Sequence, residues 1–232
     1  MSNLQKTVGI IGGMGPLATV DLYKKIIDMT RADSDREHIH IIIDNYPQIP
    51  DRTTAILQGS EAPVPFILES AERLLTAGAQ LLTIPCNTSH SFYEKICVGT
   101  SLPVLNMLDI TAAHLQSEGV KSVGVLATDG TKKTGVYDRA LSKFGIEVIY
   151  PDDEGQKKVM HLIYHEVKAG KPANLEPICT LMEGMHALGA EKFVLGCTEL
   201  PIAFCGHMNE DIIDPTQLLA MEAIKAAGYE LR

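Results

Sequence analysis

A chain of 232 residues that is 45% hydrophobic can bury a sizeable core, and its length fits one large domain or two lobes of roughly 100 residues each. Global disorder is thereby excluded, and a formal net charge of −9 with no block of basic residues argues against a nucleic-acid backbone as partner. The sequence opens without a basic segment and apolar stretch of the secretory kind, and no apolar run approaches the roughly 18 residues of a membrane span, so a cytoplasmic protein with no membrane partner is expected.

Short β-branched or aliphatic runs bounded by Gly, Pro or Asn alternate with amphipathic stretches, the pattern of βα units in parallel sheets. In chain order the first half reads as strand Thr7–Ile11, helix Leu17–Thr30, strand His40–Asp44, helix Pro63–Ala77, strand Leu81–Ile84, helix Ser91–Ile96 and strand Val104–Leu105. The second half reads as helix Ile110–Glu118, strand Ser122–Leu126, helix Gly135–Lys143, strand Glu147–Ile149, helices Glu154–Val167 and Leu175–Leu188, and strands Lys192–Leu195 and Ile212–Ile213.

The two halves resemble each other. VGIIGGMGPLATVDLY from Val8 is echoed by VGVLATDGTKKTGVY from Val123, an offset of 115 residues, and GAQLLTIPCNT from Gly78 by GAEKFVLGCTE from Gly189, an offset of 111. Offsets this close point to duplication and pseudo-symmetry. The expected fold is α/β, with two pseudo-symmetric lobes, each a mostly parallel sheet flanked by helices, and an active site in the cleft between them. Residues 1–104 with 212–232 form the expected first lobe, and 105–211 the second. Open parallel sheets bind ligands at the carboxyl ends of their strands. Cys86 and Cys197 both sit there, so they should view one small molecule from opposite sides.

Two acid/base groups on opposite sides of a planar carbanion are the minimum needed to move a Cα proton from one face to the other. A free thiol titrates at roughly 8.5, and a helix N-terminus lowers that value, which brings the thiolate within reach. The five cysteines are odd in number and contain no C-x-x-C pair, which speaks against a disulfide framework; Cys97, Cys179 and Cys205 read as buried small apolar side chains. The eight histidines are scattered, and His161 and His165 lack a third ligand, so no metal is expected. His90 reads as packing in the helix after Cys86.

Around the cysteines, Asn87, Thr88 and Thr198 suit carboxylate capture, although helix capping explains the same residue types. Gly13, Gly15 and Ala18 fit a degenerate dinucleotide fingerprint, or simply let the backbone approach a small ligand. Arg52 follows the second strand and is the residue type that grips a carboxylate with two donors; taken alone it reads as a surface ion-pair residue. Lys168, near a helix end, reads alone as a complement to the helix dipole.

Taken together and in order, GGMGP, PQIPDRT, PCNTSH, VKAG, GCTE and Asp214-Pro215 resemble the aspartate racemases of the aspartate/glutamate racemase superfamily, from about Val8 to Asp214. The resemblance implies racemisation of a small amino acid by two cysteines with no cofactor, and a homodimer. Position by position, it implies that Cys86 and Cys197 are the two bases, and that Asn87, Thr88 and Thr198 hold the α-carboxylate and amino group. Met14 falls in the glycine turn, Arg52 and Lys168 match cations that recognise a side-chain carboxylate, and Thr128 and Thr131 lie in the second-lobe counterpart of that turn. Glutamate racemases follow the second Cys-Thr with His; Glu199 stands there instead, which favours aspartate. The competing readings are a glutamate or broader amino-acid racemase, a diacid isomerase on the same scaffold, and a two-lobed binding protein, which has no need of matched thiols.

Overall fold

The computed structural model describes residues 5–232, and its first element, Val8–Gly12 (β1), is buried along its whole length. A strand covered on both faces is the mark of a parallel sheet with helices on either side. Pro16–Met29 (α1) follows, then Ile41–Asn45 (β2), Arg52–Leu57 (α2), Pro63–Thr76 (α3), Leu81–Thr83 (β3), a 3-10 turn at Thr88–Phe92 and Tyr93–Gly99 (α4). The strands are parallel in the order β2-β1-β3, and Val104 adds one parallel bridge to Leu82 beyond β3.

The second half repeats this plan. Met107–Ser117 (α5) leads into Ser122–Ala127 (β4), Asp129–Thr134 (α6), Val136–Ser142 (α7), Glu147–Ile149 (β5), Asp153–His161 (α8), Glu176–Ala187 (α9), Lys192–Gly196 (β6), Glu199–Ala203 (α10), Ile212–Ile213 (β7) and Pro215–Ala226 (α11). Its sheet runs β5-β4-β6-β7, all parallel, so β4, β5, β6 and β7 stand where β1, β2, β3 and Val104 stand in the first. The expected two-lobed α/β architecture is the one observed. Among the described residues, no helix is long and apolar enough to cross a membrane.

The lobes exchange a helix. After the first sheet, α5 packs Leu108, Ala112 and Leu115 with Val123 and Val125 of the second; after the second sheet, α11 packs Leu219, Ala223 and Ile224 with Val8, Ile10 and Leu22 of the first. The chain returns to the first lobe later than expected, because Ile212 and Ile213 pair with Phe193 and Val194 in the second sheet. The boundary at 212 is therefore corrected to Asp214. This residue caps α11, accepting the Thr216 and Gln217 amides at 2.8 and 3.2 Å, while its other oxygen lies 2.6 Å from Lys25 of α1.

Four helices were not expected from the sequence: α2, α6, α10 and α11. The first three are too short to show a period. In α11 apolar residues ring the helix instead of forming one stripe, and its legible signal was the capping Asp214 followed by Pro215. The helix expected over Glu154–Val167 changes character midway, because Leu162–Val167 is π-helical.

Candidate active site

Parallel strands of both sheets end facing the interlobe cleft, and each of the matched cysteines follows one of them, Cys86 after β3 and Cys197 after β6. The two are 4% and 5% exposed and line one cavity of about 10 Å³, room for no more than a water. Of the other residues named from the sequence, Met14, Arg52, Asn87, Thr88, Thr128, Lys168 and Thr198 line the same cavity. Thr131 stands just behind, where the hydroxyls of Thr88, Thr128 and Thr131 form a triangle with sides of 3.0, 3.0 and 3.1 Å. That triangle joins the lobes, since Thr88 belongs to the first and the other two to the second.

Arg52 is not the free two-donor grip its sequence suggests. Its Nη1 donates to the Ile49 and Pro50 carbonyls at 3.2 and 3.1 Å, and its Nη2 to the Met14 carbonyl at 3.1 Å, which ties the loop after β2 to the glycine turn after β1. Its Nε is buried with no partner among the described residues. Burial opposes its charge, but Cys86 and Asp51 beside it hold the guanidinium above its ordinary value. Asn87 shows the same pattern: Oδ1 accepts from the Tyr137 hydroxyl at 2.6 Å, while Nδ2 is buried and without a partner among the described residues. A buried donor without an acceptor carries a desolvation penalty of about 1–3 kcal/mol that an incoming anion removes.

The second sulfur lies in a different setting. Cys197 donates its S–H to Glu199 Oε2 at 2.9 Å. The expectation that a helix N-terminus would lower this thiol is corrected: burial and the Glu199 carboxylate push it well up and outweigh the Lys168 ammonium and the Glu199 amide, which act the other way. Glu199 Oε1 faces Lys168 Nζ at 3.8 Å, an ion pair too long for a hydrogen bond, so the ammonium keeps its donors available. Burial works against Lys168, yet Glu199 and Cys197 push it up to about 12.

Four lining residues were not named as site residues from the sequence: Asp51, Thr53, Tyr164 and Glu199, the last read only as a departure from the glutamate racemases. Tyr164 donates to Asp51 Oδ2 at 3.1 Å across the lobes, and Lys168 Nζ lies 4.4 Å from the centre of its ring. Both second-lobe residues are set by the π-helical segment, in which the Lys168 amide reaches back to the Ile163 carbonyl at 3.0 Å. A shift from the 3.6-residue period hides such a placement from sequence reading. Asp51 had a visible signal, as the cap of α2 that accepts the Thr54 amide at 2.8 Å. Outside the inner cavity, a vestibule of about 340 Å³ shares Asp51, Arg52, Lys168 and Glu199 with it, and Gly13 and Gly15 of the glycine turn form part of its wall.

His90 packs as expected and does not touch the thiol. Its Nε2 accepts the Met107 amide at 3.1 Å, so Nδ1 carries the proton and donates to the Cys86 carbonyl at 2.9 Å. Burial pushes its imidazole down from the usual value, which suits this neutral form. Among the described residues, no three His, Cys, Asp or Glu side chains converge as metal ligands.

Comparison with known proteins shows the family and the fold. The profile of the Asp/Glu/Hydantoin racemase family matches residues 11–223. An aspartate racemase of Picrophilus torridus superposes with a TM-score of 0.85 at 34% identity, over 98% of this chain and 96% of its own. An aspartate racemase homologue of Pyrococcus horikoshii gives 0.77 at 28% identity, over 96% and 99%. In sequence, a broad-specificity amino-acid racemase of Bacillus subtilis is 28% identical over 228 residues, 94% of this chain and 96% of its own.

Proposed function

We propose, from the premise that the chain belongs to the Asp/Glu/hydantoin racemase family, that it racemises aspartate without a cofactor by exchanging the Cα proton between Cys86 and Cys197. The observation that carries this reading is the presence of two buried thiols and two donors without a partner among the described residues, Arg52 Nε and Asn87 Nδ2, in residues that line one cavity. Two donors for anions beside two acid/base groups suit a substrate with two carboxylates and one acidic C–H. In the proposed binding mode Arg52 and Lys168 take the side-chain carboxylate, Asn87 and Thr198 the α-carboxylate, and the hydroxyls of Thr88, Thr128 and Thr131 the ammonium. Met14 supplies the carbonyl that fixes Arg52.

One sulfur, as thiolate, takes the Cα proton while the opposite thiol delivers its own proton to the other face. The carbanion is neutralised, and the two sulfurs end with their protonation exchanged. A cavity of about 10 Å³ cannot hold an amino acid, which is several waters in size, so the lobes part to admit it and close around it. Closure excludes water and strengthens each charge contact. A homodimer in the cytoplasm belongs to the same proposal.

Broad-specificity racemisation is the second reading, favoured by the Bacillus subtilis relative. The test is incubation of reduced protein with L-aspartate in D2O, following the α-proton by NMR and the D-isomer by chiral chromatography. Signal loss with appearance of D-aspartate is expected. Absence of exchange with aspartate, alongside exchange of neutral amino acids, replaces the first reading by the second; absence with all of them sends the site to a diacid isomerase or a binding protein.

A further inference from the structure

The 111-residue repeat sets the two cysteines in equivalent places but gives them unlike neighbours. Two residues after Cys86 stands Thr88; two residues after Cys197 stands Glu199. The Thr88 hydroxyl is turned to the triangle with Thr128 and Thr131. The Glu199 carboxylate, 5% exposed, reaches back to the Cys197 sulfur at 2.9 Å and to the Thr198 hydroxyl at 3.4 Å. Its second oxygen is steadied by Lys168 from its own lobe and lies against the glycine turn of the other, where a Cβ built on Gly15 would stand 3.4 Å away. The carboxylate is thus held from three sides with one oxygen on the thiol.

We propose that Glu199 is a positioning residue for Cys197: its carboxylate accepts the S–H and keeps the proton on this sulfur in the free protein, so that Cys197 is the donor and Cys86 the base when the first substrate molecule binds. The inference rests on the reading that these two cysteines exchange a Cα proton. In the first conversion, the Cα–H proton passes to Cys86 and the Cys197 proton passes to the opposite face of the carbanion. The protein is left with a Cys86 thiol and a Cys197 thiolate beside a carboxylate. Like charges at this distance repel, so the form with the proton back on Cys197 is favoured: Cys86 releases its proton to solvent, and solvent returns one to Cys197.

Other groups also face Cys197. They are Lys168 and Tyr164 from the π-helical segment and Tyr137 from α7, with Arg52, Asp51 and Cys86 on the first-lobe side. Lys168 favours the thiolate, and its influence grows once the carboxylate is gone.

The experiment compares wild type with Glu199→Gln, which keeps the shape and removes the charge. Iodoacetamide alkylation is followed at each cysteine by peptide mass spectrometry from pH 6 to 10. Expected is a rise of about tenfold or more in Cys197 alkylation at neutral pH, equivalent to a midpoint lowered by at least about one pH unit, with Cys86 little changed. An unchanged Cys197 midpoint overturns the proposal. So does an equal rise at both cysteines, which reports a loosened cleft. Should Glu199→Gln lose its native circular dichroism, Glu199→Asp carries the comparison, with a smaller shift expected in the same direction. Alkylation needs no turnover, so failure of the wild type to racemise aspartate counts against the proposed function and leaves this result standing on its own.

Discussion

Replacing Gly130 by Ala tests whether the lobes work in the closed arrangement. Gly130 lies in α6 with its Cα against α2, and a Cβ built there would stand 2.9 Å from Thr53 Cα and 3.2 Å from Thr53 Oγ1. Carbon atoms prefer about 3.5–4.0 Å, so α6 must withdraw by roughly 0.6 Å or more, and backbone on the far side leaves no side chain to swing away. Thr128 and Thr131, on either side of Gly130, would carry their hydroxyls with them. Bonds of 3.0 Å to Thr88 then stretch beyond hydrogen-bond range. Overpacking of this kind costs about 1–3 kcal/mol, against at most about 1 kcal/mol gained in helix propensity, so a net loss is expected, lowering Tm by a few degrees. Displacement of a binding wall by part of an ångström should reduce α-proton exchange by about tenfold, given that about 1 Å can cost a hundredfold. The assays are aspartate exchange in D2O and thermal unfolding by circular dichroism. Full exchange with an unchanged Tm would refute the reasoning, because α2 and α6 would then not touch in the working form.

Cys86→Ala and Cys197→Ala should each abolish racemisation while near-UV circular dichroism stays native; full activity in both would remove the two-thiol scheme. Arg52→Ala should lower kcat/KM for aspartate about 10- to 100-fold relative to alanine, the loss of one charged hydrogen bond of about 1.5–3 kcal/mol. Equal losses for the two substrates would show that Arg52 serves only to tie the loop. His90 gives a pH signature. Its folded value lies below the unfolded value of about 6.5, so the unfolded chain takes up a proton first, and His90 contributes stability above about pH 6.5 that is lost as pH falls toward the folded value. Urea titrations at pH 7.5 and 5.5 should show wild type losing stability with a slope of up to about 1.4 kcal/mol per pH unit from this group, and His90→Gln losing less over the same interval. An identical pH dependence in both would count against the buried neutral imidazole.

The fold was legible because its two signals survive without tertiary context. Buried strands announce themselves as short aliphatic runs, and the repeat of GAQLLTIPCNT in GAEKFVLGCTE placed the two sulfurs at equivalent strand ends. The helix α11 was not legible, because its apolar residues fall all round it and form no stripe. The roles of neighbouring side chains were legible in kind but not in geometry. Arg52 was expected to grip with two donors, yet three of its N–H groups meet backbone carbonyls whose approach only the folded loop defines. A similar limit explains Cys197: a cysteine before a helix suggests a lowered thiol, and only the reach of Glu199 back onto the sulfur reverses it. Tyr164 was invisible for a local reason, the extra residue that the π-helical turn inserts ahead of Lys168.

The twofold likeness of the lobes has a consequence for throughput. Mirror-image amino acids have one free energy in achiral water, so no difference between the walls of the cleft can favour one of them at equilibrium. Unlike walls act on the catalyst itself. On the proposed mechanism each conversion leaves the protein in the form suited to the reverse reaction, and a carboxylate on the Cys197 sulfur, where the residue equivalent to it after Cys86 is Thr88 with its hydroxyl turned to other threonines, makes those two forms unequal in population. Recovery of the starting form then becomes a separate event between successive conversions, and at saturating substrate it sets a ceiling on turnover that faster C–H chemistry does not raise.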